Sequence, residues 1–194
     1  MAKKQEPAIG SVVPSVGLDE KLVEVVDQKR LWRKTLGDIG EQIVAQHVTL
    51  CGWQILSRKF RMGRSSEVDI IAISPEETTT FIEVKTRIIW PDSVNTWHES
   101  ATQSIDARKR KRIIAASRRY RVANQDYDIS KCRYDVFLVG ITRKLAQNLV
   151  DLKKRLDVLS LHEQIDYQLK HHEYGNPRGS LYLIHLESAF VTNF

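Results

Sequence analysis

Nowhere does the chain carry an unbroken apolar run of the roughly 18 residues that a bilayer-spanning helix needs, so no membrane segment is expected. Its opening, MAKKQEPAIGSVVPSVG, has two lysines but no apolar core of the kind a secretory leader requires, which makes a reducing cytoplasm the expected compartment. Cysteine is nearly absent. Cys51 and Cys132 stand far apart with no CxxC, which argues against a zinc cluster or a disulfide framework and leaves two reduced thiols expected in or near the core. Internal repeats and low-complexity tracts are also missing, as are zinc-finger, recognition-helix and paired RNA-binding aromatic signatures. Any nucleic acid would therefore be read through backbone and shape rather than base edges.

What is present suits one globular domain. The 194 residues are 42% hydrophobic, enough for a real core, and the net charge of +6 favours polyanionic partners. Residues 1–18, with Pro7, Gly10, Pro14 and Gly17 among small side chains, read as a flexible tail, and 19–194 as the domain.

The spacing of Leu22, Val25, Val26, Lys29 and Trp32 predicts a helix over about 20–34. Gly37 and Gly40 are expected to interrupt it before a second helix in GEQIVAQHVTLCG, closed by Gly52. Glu41 falls in the first turn of that second helix, where a carboxylate is favoured by the helix dipole alone. EVDIIAI and TTTFIEVKTR then alternate at period two around SPEE, a hairpin pattern. A polar loop containing Trp97 leads to a helix in ATQSIDARKRKRIIAASRRYR, packed through Ile113, Ala116 and Tyr120, and RYDVFLVGI reads as an interior strand. One amphipathic helix is expected from about 148 to 172, inside an insertion near 146–178, and SLYLIHLESAF supplies a last strand. The expected architecture is an α/β domain with a mixed central sheet flanked by helices. The first helix and the insertion are expected to pack at its periphery or in an oligomer interface.

The chemistry lies in the hairpin. Glu83 and Lys85, two apart, project from the same face of one strand. If the hairpin turns about Glu76, the midpoint of 69 and 83, Asp69 stands opposite Glu83 and Ile71 opposite Phe81. Opposed β-carbons lie about 4.5–5.5 Å apart, close enough for two carboxylates to share a divalent ion. Facing carboxylates repel and resist desolvation unless a cation or a proton intervenes. Mg2+ or Mn2+, one or two ions, would meet that need, would polarise a phosphate and would acidify an attacking water, while Lys85 would orient that water or stabilise developing charge. A pair of charged strand ends with no ligand is the plain alternative.

The densest positive cluster is RKRKR at 108–112. Arg108, Lys109, Lys111, Arg112 and Arg119 belong to a helical stretch that carries eight basic and no acidic residues between 108 and 121, a suitable phosphate-binding stripe or simply a solvated face. Arg58, Arg61 and Arg64, with Lys59, form a second basic segment just before Asp69. Trp53 is expected in the core, whereas Trp97 is a weaker candidate for stacking on a base. His162, His171 and His172 lack a metal-binding spacing, and His185 with Glu187 reads as structural polarity.

GDIGEQIVAQHVTLCGWQILSRKFRMGRSSEVDIIAI, FIEVKTR, SIDARKRKRIIAASRRY, RYDV and IHLESAF together resemble successive signatures of the UPF0102, or YraN-like, family. The resemblance covers roughly residues 36–145 and 181–190. It implies a restriction-endonuclease-like domain of the PD-(D/E)xK superfamily, near the archaeal Holliday-junction resolvases, and hence a metal-dependent endonuclease. Carried over by position, Glu41, Asp69 and Glu83 would bind the metal and Lys85 would assist hydrolysis. Glu67, two residues before Asp69 and on its face, would be an accessory ligand or a structural partner. The resemblance favours DNA, branched DNA in particular, over RNA, and a homodimer is a reasonable expectation for a symmetric junction. Ser66 departs from the family's usual glycine, and about 30 leading residues and the 146–178 region are additions. The alternative is a non-catalytic nucleic-acid-binding adaptor on the same fold.

Overall fold

The computed structural model describes residues 16–61, 67–93, 96–99, 105–124, 132–170 and 180–190, with side chains from Val25 onward. Residues 1–15 of the tail expected over 1–18, with Arg64, Ser66, His171 and His172, lie outside the described residues, whereas residues 16–18, expected in that tail, are already helical. By its internal contacts the chain divides into Met1–Arg33 and Lys34–Phe194. The described part of the first unit is the opening of helix α1, where Val25, Val26 and Leu31 are exposed. All the remaining elements belong to the second unit.

Helix α1 spans Val16–Leu50 without a break, so the two helices expected on either side of Gly37 and Gly40 are one. A glycine inside a helix costs roughly 1 kcal/mol relative to alanine but does not end it. Gly40 is needed for close approach. A Cβ there would lie 1.8 Å from Thr86 Oγ1 and 3.0 Å from Thr86 Cβ on the sheet.

The sheet has five strands in the order β1 (Gln54–Arg61), β2 (Glu67–Ile73), β3 (Thr79–Ile89), β4 (Cys132–Thr142) and β5 (Leu181–Leu186). Three of the four pairings are antiparallel, and β3–β4 is parallel, which makes the sheet mixed as expected. The parallel pair needs a crossover, supplied by α2 (Ala107–Ala123). β4 is interior, as its apolar continuity implied. β1 was not legible as a strand: its charged end, QILSRKFR, lies at the sheet edge, and a register shift between Ile55 and Ser57 breaks the alternation.

The hairpin register agrees with the sequence. Ile71 pairs with Phe81 and Ile70 with Ile82. Ser74 N–H donates to Thr78 O at 3.0 Å and Glu77 N–H to Ser74 O at 2.9 Å, closing a three-residue loop centred on Glu76. Pro75 fits the first corner of that turn, and Glu77, at φ 58°, takes the left-handed position such loops require.

One sheet face packs Ile71, Phe81, Tyr134, Val136 and Leu138 against Ile113, Ala116 and Tyr120 of α2. Trp97 belongs to this core at 5% exposure, so it is not an exposed stacking platform. Trp97 and Ile89 close over Gly140, where a Cβ would lie 3.0 Å from Trp97 Cε2 and 2.3 Å from Ile89 Cδ1. Trp53, by contrast, is only half-buried, under the Arg133 guanidinium 5.6 Å from its ring centre. Cys51 is exposed and Cys132 half-buried, so only the second thiol meets the expectation of a near-core position.

The opposite face receives α1, with Ile39, Ile43, Val44 and Val48 fully buried. The single helix expected over 148–172 is two, α3 (Arg143–Lys154) and α4 (Val158–Lys170). The break falls at Leu156, whose φ of 57° no helix accommodates. α4 docks on α1 through buried Leu161 and Ile165, through Gln42 Nε2 and His162 Nε2 at 2.9 Å, and through Gln46 Nε2 donating to Asp166 Oδ1 at 2.7 Å.

The tight α1–β3 approach gives a test. Gly40→Ala should destabilise the protein by about 1–3 kcal/mol despite alanine's better helix propensity, because the stiff, β-branched Thr86 has to move. Thr86→Ala in the same chain should recover most of that loss in a urea denaturation series.

Candidate active centre

The centre forms where β2 and β3 emerge from the hairpin ladder. The register that pairs Ile71 with Phe81 brings Asp69 opposite Glu83, beyond the last paired residues, Ile70 and Ile82. Asp69 uses the freed backbone: Val84 N–H donates to its Oδ2 at 2.8 Å. Both carboxylates are deeply buried, Asp69 at 8% and Glu83 at 2% exposure.

Two lysines answer Glu83. Lys85 Nζ, from the same face of β3, lies 2.6 Å from Glu83 Oε1. Lys109 Nζ, from the first turn of α2, lies 2.8 Å from Glu83 Oε2. That second contact is the less well directed of the two, and Oε2 has no other polar partner among the described residues. The α2 turn is fixed independently by Asp106, whose Oδ1 accepts from Lys109 N–H at 2.7 Å.

The charges shape one another. Burial and the neighbouring Glu83, with Glu41 further off, push the Asp69 carboxyl up to about 8, although Lys109 and the Val84 N–H work the other way. Burial opposes the charge on Lys109, but Glu83 and Asp69, aided by Glu67, outweigh it and hold the amine above its usual range.

Glu41 stands at the margin of this pair. Burial raises its pKa, opposed by Lys59 and reinforced by Asp38 and Glu67. Lys59 Nζ is 3.2 Å from Glu41 Oε2 and also pairs with Asp38. Lys153 Nζ reaches the other Asp38 oxygen at 3.2 Å. Lys59 achieves its inward reach with a left-handed φ of 52°, a conformation that costs a non-glycine residue roughly 1–2 kcal/mol. Glu67 is paired with Arg61 at 2.7 Å on the exposed strand end.

Sequence reasoning placed Lys109 among the exposed basic residues of α2, but its position in the helix told otherwise. Residues 109, 113, 116 and 120 form one stripe at helical spacing, so Lys109 lies in line with Ile113, Ala116 and Tyr120 and faces the sheet. Arg108, Lys111, Arg112 and Arg119 lie off that stripe and are exposed. Arg58 is exposed too and donates to Gln42 Oε1 at 2.8 Å. Asp38 carried no signal in the sequence beyond its charge.

Among the described residues, no three His, Cys, Asp or Glu side chains converge closely enough to hold a metal ion. The Asp69–Glu83 pair nevertheless fits a hard cation in its donor chemistry: two mutually repelling carboxylates, with Glu83 Oε2 held by Lys109 alone among the described residues. Glu41, engaged by Lys59, is not part of that pair. A separate cavity of about 290 Å3 lies behind Lys59, lined by Ile39, Leu156, Val158 and Leu161, and includes neither Asp69 nor Glu83. On the other sheet face, His185 Nε2 lies 2.7 Å from buried Asp135 Oδ2 and its ring stacks on Phe137, a structural role as expected.

The raised Asp69 pKa fixes the sign of a pH effect. The folded chain retains the Asp69 proton up to about pH 8, while an unfolded aspartate releases it near 3.8, so stability falls as pH rises across that window. In EDTA, Asp69→Asn keeps the acceptor for Val84 N–H and should gain stability relative to wild type from about pH 5 to 8. Denaturant midpoints at several pH values measure this, and a gap independent of pH would contradict the burial of an acid here.

The sequence model of the Uncharacterised protein family UPF0102 matches residues 40–139. The UPF0102 protein of Chlorobium phaeobacteroides is 36% identical over 117 residues, which are 60% of this chain and 84% of that protein. The Chlorobaculum tepidum protein is 38% identical over 104 residues, 54% of this chain and 74% of its own length. That of Albidiferax ferrireducens is 35% identical over 105 residues, 53% and 76% of the two chains. The family match contains Glu41, Lys59, Asp69, Glu83, Lys85 and Lys109, whereas α3, α4 and β5 lie beyond it. With the family model matching half of it and these relatives covered over most of their length, the chain belongs to the UPF0102 family.

Proposed function

We propose that this protein is a metal-dependent endonuclease of the restriction-endonuclease-like, PD-(D/E)xK type, acting on DNA. The observation that carries the reading is the buried Asp69–Glu83 pair with Lys85 two residues on, beside a helix with a row of exposed basic side chains. Two adjacent buried carboxylates are costly unless a cation belongs with them, and that cost is readily explained by a site built for Mg2+ or Mn2+.

Asp69 and Glu83 would hold the ion, and Glu41 would join them after leaving Lys59. When bound, the metal supplies Lewis-acid polarisation of the phosphate and a more acidic water. Lys85, fixed by its strand beside Glu83, is placed to stabilise charge on the phosphoryl oxygens. Arg108, Lys111, Arg112 and Arg119 would take the phosphate backbone along α2, with Arg58 and Arg61 on β1 guiding it toward the centre. Glu67, paired with Arg61, acts structurally in this scheme, and a homodimer would suit a branched, two-fold substrate.

A second reading has its own support. With Lys85 and Lys109 both on Glu83, the centre is charge-compensated by protein groups alone, as a non-catalytic nucleic-acid-binding adaptor would need.

A panel of duplex, single-stranded, flapped and four-way-junction DNA, plus RNA, separates the two. Products in Mg2+ or Mn2+ but not in EDTA, reduced at least a hundredfold by Asp69→Ala and by Glu83→Ala, are expected. Saturated binding without product would select the adaptor. Replacing Arg108, Lys111 and Arg112 by alanine should weaken binding to every sequence alike. It should also make the slope of log K against log salt shallower by about 0.9 for each duplex phosphate that the variant no longer neutralises. An unchanged slope would remove α2 from the interface.

A further inference from the structure

We propose that Lys109 is a resident counter-ion that holds the centre closed in the absence of metal, yields Glu83 Oε2 to an incoming divalent ion, and then turns to a phosphate of the nucleic acid. The proposal rests on the nuclease reading and adds a link between metal loading and the binding helix.

Three features single out Lys109 rather than Lys85. Lys85 is two residues from Glu83 on one strand, so the strand itself keeps that pair together. Lys109 comes from a different element, and its backbone is held by the Asp106 cap, so its side chain can leave Glu83 while the helix stays in place. Its contact with Oε2 is also the less directional of the two, and Oε2 is otherwise without a hydrogen bond. A divalent ion and an ammonium cannot share one buried carboxylate oxygen without strong repulsion, so entry of the first displaces the second. The released amine lies one residue from exposed Arg108 and three from exposed Arg112, on the helix that would carry the backbone phosphates. Metal and nucleic acid would then favour one another's binding reciprocally.

Mn2+ binding to the full chain, followed by electron paramagnetic resonance and calorimetry without nucleic acid, tests the exchange. Lys109→Met keeps the length of the stem and removes the competing charge, so it should tighten Mn2+ binding by about tenfold, the scale of one charged hydrogen bond. Lys109→Arg should not tighten it. In wild type, acylation of surface amines read by mass spectrometry should find Lys109 protected in EDTA and reactive at saturating Mn2+, with Lys85 less changed. This arm needs no variant to fold. Mn2+ affinity unchanged or weakened by Lys109→Met, or Lys109 labelling indifferent to bound Mn2+, would overturn the exchange while leaving the nuclease reading intact. Absence of Mn2+ binding in both proteins would overturn both.

Discussion

Two carboxylates buried side by side dominate this protein. Asp69 and Glu83 come together because an antiparallel hairpin has one register, and each is taken out of water by the sheet and by α2. The cost of that burial organises their neighbourhood. Lys85 and Lys109 are drawn onto Glu83, a backbone N–H onto Asp69, and the Asp69 proton is retained far above its ordinary range. A second, more exposed charge set, Asp38 and Glu41 with Lys59 and Lys153, extends it along α1.

The rest of the fold positions these groups. The parallel β3–β4 pair requires a crossover, and the crossover is the helix that brings Lys109. On the other face, α1 approaches β3 closely enough to exclude a side chain at Gly40, which sets Glu41 near the same sheet end. The helices α3 and α4 lie outside the family match: α3 lies against β3 and β4 and reaches α1 through Lys153 and Asp38, while α4 packs on α1 beside the apolar cavity behind Lys59. The matched segment therefore carries the centre, and α4, beyond it, packs on the helix that presents Glu41.

Much of this was legible in the chain. Period-two alternation around Ser74–Thr78 gave the hairpin, its turn and the Ile71–Phe81 register, because a one-residue slip would turn every apolar side chain to the wrong face. The continuity of β4 gave its interior place. Local rules misled where tertiary packing overrode them. Gly40, which locally weakens a helix, sits in α1 against Thr86, and a continuous amphipathic pattern over 148–172 hid the break at Leu156. β1 was missed because an edge strand with a register shift and a charged end has no clean alternation.

By itself, then, the sequence determined the elements with strong periodicity, the family, and the pairing of Asp69 with Glu83, since all three follow from short-range spacing or from ordered motifs. Only the tertiary structure decided which charges meet. Lys109 looks in the chain like one of five consecutive basic residues, yet the 100° step of the helix turns it alone of the five onto Glu83. Lys59 reaches Glu41 only through a left-handed backbone at the sheet edge, and Asp38 gains two lysines from β1 and α3. Ion pairs between distant elements depend on distances of a few ångströms, which local sequence patterns do not encode.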